Sequence, residues 1–286
     1  MTELEDRRLV VDGIVFGEGP RWHEGYFYFS DIGAKRVQRI SDSGEVETIV
    51  EVPGRPSGLG WRPDGSMLVV SMHDHRLMRF DGGELEEIAD LSEWCGGDLN
   101  DMVVDPLGRA YVGNIGFELD VDPIEPRPTH VVRVDPDGSV CAAAEDLVAP
   151  NGMVISPDGQ NLIVAESGRA CLTIFSIDGG GNLGDRRLFA RLPEGAAPDG
   201  ICLDEEGAVW VASPTTNEFL RLRQGGELTD RISIGDRPAI ACMLGGADRR
   251  TFYMVSAPTS SISTSIPLSA GRIETIRVPV AGAGRP

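Results

Sequence analysis

Pro150–Asn151–Gly152–Met153–Val154–Ile155–Ser156–Pro157–Asp158–Gly159–Gln160–Asn161–Leu162–Ile163–Val164–Ala165–Glu166 is the unit from which the rest of the chain can be read. A polar lead-in is followed by a short apolar run (Met153 to Ile155), a Pro-Asp-Gly turn, a second apolar run (Leu162 to Ala165) and a polar exit at Glu166. Asp-Gly between two apolar runs is a strong hairpin signal, because these residues tolerate the positive φ that tight turns demand. The stretch therefore predicts a β-hairpin with polar groups at its open end.

Outward from this hairpin the same pattern recurs. Copies begin at Gly17-Glu18-Gly19-Pro20, Pro56-Ser57-Gly58, Leu99-Asn100-Asp101, Pro198-Asp199-Gly200 and Ala241-Cys242-Met243. With Glu18, Ser57, Asn100, Asn151, Asp199 and Ala241 as equivalents, subtraction of residue numbers gives spacings of 39, 43, 51, 48 and 42. A period of roughly 40–50 residues in an all-strand pattern is that of a β-propeller with four strands per blade. Segments between the copies, such as Val37–Ile40 with Glu47–Val50, supply the outer strands. The reading is all-β: one six-bladed propeller domain over residues 1–286, with Arg8–Val11 pairing beside the C-terminal strand Ile273–Val278 to close the ring.

The chain's net charge of −19 argues against nucleic acid and anionic membrane as partners, both of which are held through Lys and Arg. No run approaches the ~20 apolar residues that a membrane span requires. The acidic start Met1-Thr2-Glu3-Leu4-Glu5-Asp6 is the reverse of a secretory signal, so a cytoplasmic location is expected. The five cysteines show no C-x-x-C spacing, and Cys171, Cys202 and Cys242, inside or at the edge of predicted strands, read as buried thiols; no phosphate loop, H-E-x-x-H or G-x-S-x-G elbow is present.

In a propeller the residue leading into each first strand lies at one mouth of the central channel. This places Glu18, Ser57, Asn100, Asn151 and Asp199 in a ring. Each alone could be a turn residue serving its own backbone. Two carboxylates and two amide oxygens held together call for a positive charge between them. Glu18, Asp199 and Asn151 form an oxygen set that suits calcium first, then magnesium or manganese, with zinc a further alternative. Three protein ligands leave room for water or substrate, although a purely structural calcium would use the same set.

Several motifs carry a family resemblance. Gly17-Glu18-Gly19-Pro20-Arg21-Trp22, Asn100-Asp101 with Val104-Asp105-Pro106-Leu107-Gly108-Arg109, Pro150-Asn151-Gly152 and Pro198-Asp199-Gly200 resemble the gluconolactonase family that includes regucalcin. The resemblance implies a channel metal held by Glu18, Asn151 and Asp199, with Asn100 facing substrate and Asp199 as candidate general base. It implies hydrolysis of a small lactone or ester. Sugar-lactone members carry an Arg two residues before the Asn, whereas this chain has Asp98 there, which favours a neutral substrate. His73, Asn114 and Phe117, in loops after second strands, are candidate substrate contacts, and Met72 is a wall residue. The Pro-rich insert 118–129 is a candidate lid. The rival functions are a non-catalytic calcium-binding or scaffold propeller, phosphotriester hydrolysis, or a cyclisation.

Overall fold

The computed structural model describes residues 7–117 and 125–284, which form six four-stranded antiparallel sheets arranged as a six-bladed β-propeller. Blade 1 comprises Gly17–His23, Tyr26–Asp31, Arg36–Ile40 and Val46–Glu51, from the axis outward. Blades 2 to 5 repeat that order, with innermost strands Pro56–Trp61, Leu99–Val104, Pro150–Ile155 and Ile201–Leu203. Blade 6 contains Ala239–Gly245, Thr251–Ser256 and Gly271–Arg277, and its outermost strand is the N-terminal Arg8–Ile14. The expected closure is present: Arg8 pairs with Thr275 and Ile14 with Gly271, and Arg7 forks onto the Glu274 carboxylate. Among the described residues no helix is long and apolar enough to cross a membrane.

The hairpin turns form for local reasons. Asp64 and Asp158 each accept a backbone N–H from the residue two positions on, at 2.9 and 3.0 Å, while Gly65 and Gly159 take φ of +84° and +73°. Asp105 and Asp204 play the same part, and each also pairs with a buried arginine, Arg109 and Arg221 respectively. These turns occupy the propeller face opposite the channel mouth that bears Glu18. The quoted Asp105–Arg109 motif thus belongs to the scaffold.

Alternation along the strands sends apolar side chains into the seams between blades. Blade 6, which draws on both ends of the chain, is clamped on each side by aromatic rings. Tyr253 stacks on Phe27 of blade 1 with centroids 4.4 Å apart, and Phe252 lies 4.5 Å from Trp210 of blade 5. Cys171, Cys202 and Cys242 are buried free thiols, as the strand pattern indicates.

Around the axis, the innermost strands approach one another more closely than side chains allow. A Cβ on Gly58 would fall 2.3 Å from the Met102 nitrogen, and one on Gly152 would fall 2.5 Å from the Ile201 nitrogen. The Gly152 N–H instead bonds to the Asp199 carbonyl of the next blade at 3.2 Å. Glycine in the Asn-Gly and Ser-Gly pairs is therefore a packing requirement between blades. Gly152→Ala should destabilise the fold by at least about 1–3 kcal/mol, because the obstructing atoms are backbone. Urea melts of the variant and parent measure this, and equal midpoints would count against the close approach.

Candidate active site

Ser57, Asn100 and Asn151 sit in bulges of the innermost strands and Glu18 at the edge of one, not ahead of the strands as the sequence reading places them, whereas Asp199 lies two residues ahead of Ile201–Leu203. Strand register breaks between Glu18 and Arg21, between Pro56 and Leu59, between Leu99 and Met102, and between Pro150 and Met153. The last three breaks contain the ring residue and its neighbour, and in blade 1 the break follows Glu18 and contains Gly19 and Pro20. A bulge re-aims side chains that a regular strand would send into the seams. Blade 3 has Asp101 where the other bulges have glycine. Its carboxylate pairs with the buried Arg21 of blade 1 at 2.8 Å and accepts the Met102 N–H at 2.8 Å.

Glu18, Asn100, Asn151 and Asp199 converge on one cavity of about 750 Å³ at the channel mouth. Ser57, although buried in the same ring, does not line it. Burial is the main force on the two carboxylates. It raises the proton affinity of Glu18 well above the usual carboxylate range, with Asp199 and Asp101 adding to the effect and the Gly19 N–H and Arg21 opposing it. Asp199 is pushed up to about 7, first by burial and then by the charge of Asp101, against hydrogen bonding from Asn151 and Glu18. Asp101 is raised by burial as well, and Arg21 offsets part of that shift.

The Asn151 amide nitrogen reaches Ser167 Oγ at 3.4 Å, and Ser167 donates to the Pro198 carbonyl at 2.6 Å, which joins the two loops that carry Asn151 and Asp199. Asn151 Oδ1 is buried and has no hydrogen-bond partner. Two buried carboxylates of raised proton affinity beside an orphaned amide oxygen make a donor set that a hard divalent cation fits. Among the described residues no group of three or more His, Cys, Asp or Glu side chains is placed to hold a metal, so any such site depends on the amide oxygen.

The wall includes Asp98, His73 and Phe117, and the buried Met72 lies beside them. Asn114 is elsewhere. It is fully buried, donates to the His130 carbonyl at 2.9 Å and accepts the Thr129 hydroxyl at 2.6 Å, so it ties two strands together and does not line the cavity. Asp31 and Glu166, at the equivalent ends of second strands, also serve the backbone. Asp31 accepts from Val15 and Phe16, and Glu166 from Val148, which fixes the segments leading to Glu18 and Asn151.

Asp98 is not the unpaired anion on which a neutral substrate was predicated. His73 Nδ1 lies 2.8 Å from its carboxylate. The candidate lid falls partly outside the described residues (118–124), and Pro128 and Thr129 belong to a strand of blade 3. His75, read with His73 and Asp74 as part of the wall, does line the cavity, and two wall elements were not singled out from sequence: Arg55 and the short segment Ser260–Ile262 that leads into the helix Ile262–Ser265. Arg55 had a signal. It precedes Ser57 by two residues, as Asp98 precedes Asn100 and Phe16 precedes Glu18, and all three line the cavity.

The fold is a six-bladed propeller with a cavity at its channel mouth that gathers Glu18, Asn100, Asn151 and Asp199 from four blades. The chain belongs to the family described as the SMP-30/Gluconolactonase/LRE-like region, whose model matches residues 16–258. It is 28% identical over 281 residues to 6-deoxy-6-sulfogluconolactonase from Pseudomonas putida, covering 95% of this chain and 94% of that protein. It is 27% identical over 264 residues to regucalcin from Gallus gallus, covering 90% and 88%. The crystal structure of a calcium-binding protein, regucalcin from Agrobacterium tumefaciens, superposes with a TM-score of 0.78 at 21% identity, covering 97% of this chain and 95% of that one. Family membership supports lactone hydrolysis as the class of activity.

Because Asp199 binds its proton more tightly in the folded state than in the unfolded chain, its contribution to stability is complete below about pH 4. That contribution falls as pH rises towards about 7. In chelator-treated protein the stability difference between parent and Asp199→Asn should therefore shift against the parent across this window, by up to about 1.4 kcal/mol per pH unit. Denaturant melts at pH 4.5, 5.5 and 6.5 give the slope, and a pH-independent difference would remove Asp199 as a proton-holding group.

Proposed function

We propose that the protein is a metal-dependent hydrolase of a small lactone or ester, with Glu18, Asn151 and Asp199 as metal ligands and Asp199 as general base. The observation that carries the reading is the unpartnered Asn151 oxygen beside two buried carboxylates of raised proton affinity. Calcium suits this all-oxygen set best, and the resemblance to regucalcin supports the same choice. A bound divalent cation supplies Lewis-acid polarisation of the scissile carbonyl.

The chain's own groups do the rest. Asp199 accepts a proton from the attacking water as the water oxygen bonds to the carbonyl carbon. The ring C–O bond then breaks, and the same proton passes to the departing alkoxide, leaving a hydroxy acid. Asn100 donates towards the Pro150 carbonyl at 3.4 Å, which holds its amide at the cavity floor where it can orient the substrate. Phe16, Ile32, Ile115 and Phe117 present apolar surface that excludes bulk water from the cavity.

Asp199→Asn should lower kcat by about 10²- to 10⁴-fold while the fold is retained. Glu18→Gln should chiefly weaken metal affinity. For the parent, EDTA should abolish hydrolysis and calcium should restore it, and metal at a hundredfold excess over Kd should stabilise the protein by about 2.7 kcal/mol. These effects are read from lactone hydrolysis and from melting curves with and without metal. Turnover insensitive to EDTA would sink the metal-dependent mechanism. Stabilisation by calcium with no turnover across lactones and esters would favour a calcium-binding propeller without catalysis.

A further inference from the structure

The cavity wall carries one cationic group that the proposed chemistry leaves unused. Its ionisable lining comprises Glu18, Asp199, Asp98, His73, His75, Cys95 and Arg55. Asp98 is paired with His73. Among the described residues no carboxylate forms an ion pair with Arg55, and Asp74, whose carboxylate packs over the adjacent Gly54, is not its partner. Arginines such as Arg21, Arg76, Arg186 and Arg221 are matched by acids, whereas Arg55, like Arg8 and Arg62, forms no ion pair among the described residues, and of these three only Arg55 lines the cavity.

The turn does not need an arginine there. Arg55 precedes Pro56 with φ of +72°, and Ala149 precedes Pro150 in blade 4 with φ of +50°. The same backbone thus accepts a methyl side chain at an equivalent position. The turn is also fastened independently of the side chain: the Arg55 N–H bonds to the Val52 carbonyl, the Met72 N–H to the Arg55 carbonyl at 2.8 Å, and the His73 N–H to the Gly54 carbonyl at 2.9 Å. Those bonds fix the backbone that carries Arg55 at the cavity wall.

We infer that Arg55 receives an oxyanion substituent of the substrate, so that the preferred lactone carries a phosphate, sulfonate or carboxylate remote from its ring carbonyl. The inference rests on the lactonase reading and deepens it. A guanidinium fork matches the paired oxygens of such a group and, in a half-buried cavity, distinguishes it from a hydroxyl.

The test uses metal-replete protein and hexonic acid lactones that differ at the terminal carbon: hydroxyl, phosphate, sulfonate or carboxylate. The parent should favour at least one anionic lactone by about 10- to 100-fold in kcat/KM, and the arms show which oxyanion fits. Arg55→Ala should collapse that ratio towards one with an unchanged melting curve, and Arg55→Lys should restore part of it. Calorimetry with the ring-opened hydroxy acids, with and without the terminal anion, reads the same preference without turnover. If no lactone is hydrolysed, the lactonase reading fails, and calorimetry still decides the role of Arg55. A parent without preference for the terminal anion, or a preference that survives in Arg55→Ala, overturns the inference.

Discussion

The structure depends on how closely six innermost strands can crowd round one axis. Where Gly58 faces Met102 and Gly152 faces Ile201, neighbouring backbones meet without room for a methyl group. That contact draws the preceding residue of each bulge inward. Side chains from blades 1, 3, 4 and 5, far apart in sequence, then share one cavity floor. The cost is electrostatic, since Glu18 and Asp199 are brought together in a poorly solvated place along with Asp101. Arg21 relieves part of it from below, bonding Asp101 and the Met102 carbonyl across the axis. What remains is an oxygen-rich floor short of positive charge, which is the physical case for a cation.

Much of this was legible in the residues themselves. Pro-Asp-Gly and related turns announce each hairpin through side-chain-to-backbone bonding that is local in sequence, and their spacing fixes the blade count. The floor was legible for the same reason: a repeat places equivalent residues in equivalent positions, so Glu18, Asn100, Asn151 and Asp199 could be grouped without knowing any distance. The resemblance to a known family then gave those positions roles.

The wall was harder to read, because its composition depends on partners contributed by other blades. Asn114, Asp31 and Glu166 look like Asn100 or Asp199 in sequence, being polar residues at strand ends, yet their bonds run to backbone in crossing segments. Asp98 reads as a bare negative charge until His73, 25 residues earlier, is found beside it. Arg55 lies in the same register as Asp98, and that position was its signal in the sequence, but its want of an acid partner is visible only in the assembled ring. Pairing across blades is a property of the assembled ring.

The sixth blade imposes an order on assembly. Arg7 and Glu274 are 267 residues apart, so the sheet they share cannot form until nearly the whole described chain has left the ribosome. Five blades can hydrogen-bond internally before then, each from a continuous segment. Throughout that interval, blades 1 and 5 expose the rings of Phe27 and Trp210 that later grip blade 6. Synthesis therefore passes through an open crescent with two sticky ends, and the entropy of closing so long a loop falls on its final step.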